Sequence, residues 1–354
     1  MATTYAIPDG RVAMAATTFT GTGAAQTVSN AVNGVSFQPD LVWVKGRSFA
    51  SYNGLIDSVR GRAYDLYSNA TSAEETSGST EDLTAFTSSG FSLGTPARFG
   101  SNNSGQTYVG WQWKAGGTPV SNTSGSITSS VSANPTAGFS VVTCTTQASG
   151  TATVGHGLGV APSLIIQKIR TLAADWYVYN VSIGAGNILK LNTTDAASAA
   201  STIWNSTAPT STVFSLGNGW AGSYSTVAYC FAPVAGYSAM GTWQNNNSTD
   251  GTFVYLGFRP RFILLKNTDN VEGWFIWDSA RQTYNMPPPS SNWLNPNLSN
   301  AEGVNNASTA EIDGLSNGFK IRTTNPAAGE VSFGTRNYIF MAFAETPFKY
   351  ANAR

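Results

Sequence analysis

The chain has 354 residues, only 11% of them charged, and its 19 basic and 19 acidic side chains cancel to a formal net charge of zero. An ordinary soluble domain carries about 25% charged residues. A nucleic-acid binder needs a basic patch, and a helix that lies on a membrane needs a basic amphipathic face. The composition offers neither, so we expect no nucleic-acid partner and no membrane partner.

Residues 1–16 predict a short lead-in strand or N-terminal arm. They lack the charged start and the apolar core of a secretion signal, which predicts a protein made in a cytosol and not exported by that route. No apolar run approaches the ~18–20 residues that a membrane span needs. The chain is rich in Ser, Thr, Asn and Gly, which are poor helix formers, so strands and turns are expected.

The first module is predicted to span residues 17–115. It opens on a strand at Thr17–Thr20, continues with the apolar run Leu41–Val44 after Pro39, and closes on Tyr108–Trp113. The run Leu41–Val44 is apolar at every position, which is typical of a strand that is covered on both faces.

The same features recur twice more in the same order. In each copy a proline is followed six residues later by a lysine, and these pairs are Pro39 and Lys45, Pro162 and Lys168, and Pro260 and Lys266. Eighteen residues after each proline stand Asp57, Asn180 and Asp278. Asp57 and Asp278 each begin an Asp-Ser-x-Arg sequence. Such self-similarity predicts one structural module present three times.

Residues 116–137 have the Gly, Ser and Thr content of a flexible linker, which would let the first module sit at a distance. The second module is predicted at residues 138–233 and the third at 234–354, joined by only a few residues. Seven or eight short strands in about 100 residues favour a two-sheet sandwich. We therefore predict an all-β protein of three tandem β-sandwich modules, jelly-roll or lectin-like. A propeller or prism blade is the weaker alternative, because it needs only about 40–50 residues.

Few residues have the pattern of a reactive site. The single histidine, His156, lies in a Gly-rich turn and has no counterpart in the other copies. One histidine and two separated cysteines cannot supply the four ligands of a zinc site. Paired carboxylates could serve a glycosidase, and the candidates are Glu74, Glu75, Glu81, Asp82, Glu311 and Asp313. All lie in polar segments that favour solvated loop charges, so we predict no catalytic residues, no metal and no cofactor.

Three further sets of residues have two interpretations each. The lysines Lys45, Lys168 and Lys266 could contact a ligand, but stems that reach out of the core to solvent are favoured. Asp57 and Asp278 are interpreted as partners in local salt bridges or as turn caps. Cys144 and Cys230 could form a disulfide, but buried free thiols are favoured.

Four tryptophans are the candidate contact residues. They lie in Asn-, Ser- and Gly-rich loops, where aromatic rings commonly stack on sugars or are buried at protein interfaces. These candidates for ligand or interface contacts are Trp204, Trp220, Trp243 and Trp293.

Several longer stretches extend the comparison to known proteins. They are residues 37–45, 108–117, 154–162, 204–217 and 257–260. They resemble a repeat family in virion proteins of tailed bacteriophages, especially marine and cyanobacterial ones, usually labelled tail-fibre or structural proteins. The resemblance covers about Ile7 to Phe348 and supplies no catalytic residues.

This resemblance implies a non-enzymatic virion structural protein, assembled in the host cytoplasm and exposed on the particle. It would be either a tail-fibre or adsorption component or a head decoration protein, with other tail or capsid proteins as partners. The alternative is a carbohydrate-binding module that recognises host surface polysaccharide, and a polysaccharide depolymerase ranks last. A surface with so little charge has few means of repelling its neighbours, so a homo-oligomer, most simply a trimer, is expected. We expect residues 1–16 and the third module to contribute contacts.

Overall fold

The computed structural model describes residues 6–248, 250–282, 292–304, 312–322 and 335–345. Nearly all regular structure there is β-strand, in several antiparallel sheets. The described residues add one short helix, α1 (Ser201–Trp204), and 3₁₀ turns at Gly10–Val12 and Asn218–Trp220. The prediction of an all-β protein built from sandwich modules is confirmed.

The first module contains one large and one small sheet. The large sheet has the strand order β1-β9-β3-β4-β5-β6, and the small one β2-β8-β7. The strands are β1 (Met14–Thr20), β2 (Gln26–Ser29), β3 (Leu41–Gly46), β4 (Gly54–Asp57), β5 (Tyr64–Tyr67), β6 (Glu75–Thr76), β7 (Leu83–Thr87), β8 (Gly90–Leu93) and β9 (Thr107–Trp113).

The second module has a large sheet of order β10-β11-β12-β19-β14-β15-β16-β17 and a small sheet, β13-β18. Its strands are β10 (Val120–Asn122), β11 (Ser129–Asn134), β12 (Phe139–Thr145), β13 (Ala152–Gly155), β14 (Leu164–Ile169), β15 (Trp176–Asn180), β16 (Asn187–Lys190), β17 (Ser198–Ala199), β18 (Val213–Leu216) and β19 (Ser225–Phe231).

The third module has sheets of order β20-β28-β22-β23 and β21-β27-β26, with a short β24-β25 pair. Its strands are β20 (Ser238–Gln244), β21 (Phe253–Tyr255), β22 (Pro260–Asn267), β23 (Trp274–Asp278), β24 (Asn292–Trp293), β25 (Gly303–Val304), β26 (Ile312–Leu315), β27 (Gly318–Ile321) and β28 (Asn337–Ala344).

The three large sheets share a four-strand core with the same order and register. The order is opening strand, closing strand, strand after the proline, next strand: β1-β9-β3-β4, β12-β19-β14-β15 and β20-β28-β22-β23. The closing-strand residues Trp113, Phe231 and Phe343 pair with Leu41, Leu164 and Phe262, each two residues after its proline. The prolines and these aromatic residues are therefore at equivalent positions in the three modules.

Each strand after a proline is buried on both faces because its two faces pack against different partners, as β3 shows. In β3, Val42 and Val44 face the small sheet of their own module. Leu41 and Trp43 face the opposite way, into a core cluster that all three modules share. The large sheet is therefore the middle layer between its own small sheet and the other two modules.

The shared core places the three modules around an approximate threefold axis. Trp113, Phe231 and Phe343, one from each module, meet there. Their ring centroids are 6.2 Å apart for Trp113 and Phe231, 5.9 Å for Trp113 and Phe343, and 6.0 Å for Phe231 and Phe343. The first module is therefore packed against the other two, and the expectation that it sits at a distance is wrong.

Two boundary predictions are corrected by the same packing. Residues 116–137 contain β10 and β11, and β11 pairs with β12 along six residues, so this segment is not a free linker. Within the predicted arm at residues 1–16, the described residues 6–16 are not detached, because β1 begins at Met14 and pairs with the closing strand. Ile7, Met14 and Ala16 also lie in the shared core.

Candidate functional site

The three recurring lysines lie at the junctions between modules and are fully buried. The ammonium of Lys45 in the first module donates to the carbonyl of Leu298 in the third (2.9 Å). Lys168 in the second donates to Thr71 in the first (3.0 Å), and Lys266 in the third donates to Thr194 in the second (3.1 Å). Each module thus binds the next around a closed ring. Both the ligand-contact and the solvent-reaching interpretations are wrong for these lysines.

Burial of these ammonium groups changes their titration. Loss of hydration lowers the pKa of Lys45 to about 7, with a smaller contribution from the nearby charge of Arg281. The same loss of hydration lowers the pKa of Lys168 and of Lys266 to about 8. The junctions therefore contain cations that titrate close to neutral pH.

A second donor, fourteen residues after each proline, also reaches into the neighbouring module. The indole Nε1 of Trp176 donates to the carbonyl of Tyr67 (2.8 Å), and that of Trp274 donates to Lys190 (2.8 Å). Asn53 stands at this place in the first module, and its amide donates to the carbonyl of Pro296 (3.0 Å). Asn53 differs in side chain from the two tryptophans but makes the same kind of contact.

The first Asp-Ser-x-Arg sequence forms a buried ion network between the first and second modules. Arg60 pairs with Asp57 (2.5 Å) and with Glu74 (2.9 Å), and Glu74 pairs in turn with Arg170 of the second module (2.6 Å). The hydroxyl of Tyr229, also in the second module, donates to Asp57 (2.9 Å). Asp57 additionally accepts the backbone N–H of Arg60 (2.8 Å), so the turn-cap interpretation is confirmed.

The second Asp-Ser-x-Arg sequence repeats this network between the third and first modules. Arg281 pairs with Asp278 (2.6 Å) and Glu302 (2.7 Å), and Glu302 pairs with Arg47 of the first module (2.8 Å). The indole Nε1 of Trp111, at the position of Tyr229, donates to Asp278 (2.9 Å). Two junctions therefore have the same chemistry.

The third junction, between the second and third modules, keeps the backbone hydrogen bond of the other two but has neutral residues in place of their ion network. The N–H of Ala197 donates to the carbonyl of Thr268 (2.9 Å), as Glu74 does to Arg170 (2.8 Å) and Glu302 to Arg47 (2.7 Å). The neutral residues at the network positions are Asn180, Ile183, Ala197, Thr268 and Met341. Among the described residues, the buried side-chain nitrogen of Asn180 has no hydrogen-bond partner. The whole ion network is thus absent from this junction.

An asparagine supports each junction, and sequence reasoning missed it. Asn69, Asn192 and Asn297 each accept, through Oδ1, the backbone N–H of the residue fourteen positions after the proline (3.0, 2.8 and 3.0 Å). The signal was present in the sequence, because each asparagine is followed two residues later by Thr71, Thr194 or Ser299. Asn69 and Asn192 stand 30 residues after their prolines and Asn297 stands 37 after its proline, so a search for Asn-x-Thr/Ser at matched spacing would have found only the first two.

The four candidate contact tryptophans are not at a surface. Their exposed fractions are 2% for Trp204, 0% for Trp220, 6% for Trp243 and 3% for Trp293. Trp204 and Trp220 pack in the sandwich core of the second module, and Trp243 and Trp293 in that of the third. None offers a ring face to a ligand, which corrects the prediction. Trp204 and Trp220 lie in short helical turns that pack onto the core, and Trp243 and Trp293 lie in strands β20 and β24.

The remaining candidates have structural partners. His156 is buried, its Nε2 lies 3.1 Å from the carbonyl of Thr210, and its Nδ1 accepts the N–H of Leu158 (3.2 Å). Burial lowers the pKa of this histidine. Cys144 and Cys230 are free thiols, as the favoured interpretation held, but only Cys230 is fully buried.

The described carboxylate candidates each have a different structural partner. Glu74 belongs to the ion network, Glu75 accepts from the hydroxyl of Tyr67 (3.1 Å), and Glu81 accepts the N–H of Gly78 (2.8 Å). Asp82 accepts from the Ser101 hydroxyl (2.9 Å), Asp313 pairs with Arg322 (2.5 Å), and Glu311 lies outside the described residues. Among the described residues, no group of three His, Cys, Asp or Glu side chains is arranged to hold a metal ion. No helix in the described part of the chain has the length and apolarity to cross a bilayer.

Comparison with known proteins gives a family without an assigned activity. A family model described as a domain of unknown function, DUF7483, matches residues 12–347. The chain belongs to this family. No curated protein matches the sequence, and no solved structure matches the fold. The family match spans all three modules, in agreement with their shared core.

Proposed function

We propose that the chain is a non-enzymatic structural protein of a bacteriophage virion, exposed on the particle surface as a tail adsorption component or a head decoration protein. One observation supports it above the others: the residues that recur in all three modules contact neighbouring modules. Lys45, Lys168 and Lys266 illustrate this, since each donates across a junction. Charged and polar side chains of the kind that could form a reactive site instead join the three modules into one rigid body.

The internal threefold arrangement favours a symmetric setting. Virions are symmetric assemblies, and protein oligomers in general close around rotation axes. We propose that the chain docks on a symmetric platform of tail or capsid proteins or associates with itself, most simply as a trimer. It would be assembled in the host cytoplasm and carried on the virion.

A second candidate function, recognition of a host surface polysaccharide, is favoured by one exposed groove between the first and third modules. The groove is lined by Phe49, Tyr52 and Arg98. Hydrolysis of that polysaccharide ranks last, because Glu74, Glu75 and Asp82 are each occupied by separate partners.

The test of the proposal is localisation on the particle. Negative-stain images of virions labelled with gold-tagged antibody to this chain should show gold at the tail or on the head, which also separates the two locations. Virions that contain the chain in no detectable amount would overturn the assignment. Release of reducing ends from host polysaccharide by the purified chain would overturn the non-enzymatic part.

A further inference from the structure

A groove of about 430 Å³ opens between the first and third modules. Its wall combines aromatic rings, a cation and small polar groups. The lining residues that matter here are Phe49, Tyr52, Arg98, Phe99, Asn103 and Ser299. Such a mixture of apolar surface and a few polar groups is typical of small-ligand sites.

The ring of Tyr52 is exposed and held in place. It is 48% exposed, and it stacks on Tyr67 with ring centroids 4.7 Å apart and planes 19° apart. Tyr67 is itself buried at 3% exposure and donates its hydroxyl to Glu75 (3.1 Å). Tyr52 therefore presents one flat face to the groove at little further cost in conformational entropy.

The fold does not require an aromatic residue at this place. The equivalent residue, thirteen positions after the proline, is Asp175 in the second module and Gly273 in the third. Asp175 pairs with Lys190 (2.9 Å), and neither residue has a ring. The two other modules thus show that the shared architecture forms without Tyr52.

The loop that carries Arg98 is fixed from behind. Asp82 accepts the N–H of Arg98 (2.8 Å) and the hydroxyl of Ser101 (2.9 Å). The Arg98 side chain is 49% exposed, and the ion pair that it forms with Glu75 in the described part of the chain is long (3.4 Å) and at the surface. Exposed pairs of this kind contribute about 0–1 kcal/mol. Arg98 therefore keeps guanidinium donors for a ligand, and no carboxylate is among the described residues that line the groove.

We propose that this groove binds a uronic acid residue of a surface glycan. The apolar face of the pyranose ring packs on Tyr52, and the sugar carboxylate pairs with the guanidinium of Arg98, whose planar fork matches a carboxylate. Asn103 and the exposed Ser299 lie where they can meet the sugar hydroxyls. This inference rests on the proposed exposure of the chain on the virion and names the ligand class of the second candidate function.

The test uses the full chain and two matched panels of oligosaccharides. The acidic panel contains oligomers of glucuronate and of galacturonate, and the neutral panel contains oligomers of glucose and of galactose of equal length. Titration calorimetry should give binding to an acidic oligomer that is about tenfold or more tighter than to its neutral match, a difference of about 1.4 kcal/mol. Tyr52→Ala should weaken acidic binding by about tenfold or more. Arg98→Gln should remove the preference for the acidic panel.

The control variant is Tyr255→Ala, a more exposed aromatic on the small sheet of the third module, 69% exposed and outside the groove. It should bind as the unchanged chain does, and near-ultraviolet circular dichroism should show all variants folded. Absence of binding by the whole acidic panel at millimolar concentration would overturn the proposal, and so would equal affinity in the Tyr52→Ala protein. Either result would leave antibody labelling of the virion as a separate test of the proposed function.

Discussion

Buried lysines are unfavourable because an ammonium group loses its hydration on leaving water. Lys45, Lys168 and Lys266 offset part of that cost through two acceptors each. The second acceptors are the side chain of Asn53 (2.8 Å) and the carbonyls of Ala174 (2.8 Å) and Glu272 (2.7 Å). An ammonium in this setting requires both modules to be in place. It therefore specifies the arrangement of the junction more than it stabilises the fold.

These lysines should make stability depend on pH near neutrality. The pKa values are about 7 for Lys45 and about 8 for Lys168 and Lys266 in the folded chain, against about 10.4 for an unfolded lysine. Between about pH 7 and 8.5 these three lysines bind fewer protons in the folded than in the unfolded chain. This outweighs the opposite effect of Asp65, whose pKa burial raises to about 7, so the free energy of unfolding should rise with pH. Urea denaturation across this interval measures the rise.

A matched pair of variants assigns this effect. Lys168→Met should reduce the slope of stability against pH, whereas a change at the exposed Lys114 should leave it as it is. The window ends near pH 8.5, because burial raises the pKa of the Cys230 thiol and unfolded cysteine ionises there. A free energy of unfolding that falls between pH 7 and 8.5 would contradict the prediction.

Phe231 should be one of the most sensitive core positions. It is 2% exposed and contacts Phe139 (4.8 Å), Trp113 (6.2 Å) and Phe343 (6.0 Å), so truncation removes contacts in three modules at once. Phe231→Ala should lower the free energy of unfolding by about 3–5 kcal/mol. The control is Val181→Ala, at a site that is 51% exposed. A loss below about 1 kcal/mol for Phe231→Ala would show that the ring is not part of the core.

The sequence pattern predicted core aromatic residues where they lie in strands and failed where they lie in loops. Trp113, Phe231 and Phe343 end apolar strands, and the register places them together. Trp204 and Trp220 lie in or beside short helical turns within polar segments, and their burial depends on tertiary folding of the loop. The local composition of a segment does not show whether the segment packs back onto the core and buries its aromatic side chains.

At the element scale, three features form one junction: the strand after the proline, its Asp-Ser-x-Arg turn and the loop with the recurring asparagine. The first module donates from β3 to the loop of the third, and its own loop receives the donors of β14. The sequence shows these residues as a recurring spacing. It does not show what they contact, because the partners of each element lie in another module. Repeated polar residues were therefore assigned to local turns and to solvent.

Neutralising the carboxylate at one junction should destabilise the whole chain. Glu74→Gln leaves Arg170 without an anion and removes one of the two anions that face the fully buried Arg60. Loss of one partner in a buried, hydrogen-bonded pair across an interface costs about 2–5 kcal/mol. Denaturation in guanidinium should show that loss.

The control for this variant is Asp195→Asn, which weakens an exposed contact with Lys190 (3.7 Å) and should cost less than about 1 kcal/mol. Glu302→Gln should reproduce the Glu74→Gln result at the other charged junction. Equal effects of Glu74→Gln and Asp195→Asn would mean that the network adds nothing beyond a surface ion pair.

At the scale of the whole molecule, the three modules should unfold as one body. The inner faces of the large sheets meet in a single core, and residues of the lead-in segment such as Ile7 and Met14 lie within it. A separated module would expose that face to water. The sequence therefore predicted the three sandwich modules. It did not predict that they share one axis, because the spacing of repeats along a chain does not show how the repeats pack against each other.

A fragment of residues 17–115 tests this cooperativity. Without its neighbours it would expose Trp43, Trp111 and Trp113, which are at most 2% exposed in the full chain. We expect poor dispersion in its proton NMR spectrum and no cooperative thermal transition, whereas the full chain should melt in one step. A sharp, reversible transition of the fragment would establish that the module folds alone. Deletion of residues 1–16 from the full chain should likewise lower its melting temperature.

The junction without an ion network makes the molecule suitable for measuring what such a network contributes. Three sites share one backbone geometry, one solvent and one chain, and they differ mainly in whether a buried ion network is present. Whether such networks stabilise proteins, or merely replace apolar packing of similar worth, is usually judged by comparing different proteins. Here, exchanging the whole network would answer that question inside a single polypeptide: Asp57, Arg60, Glu74, Arg170 and Tyr229 would be replaced by the residue types of their counterparts Asn180, Ile183, Ala197, Thr268 and Met341.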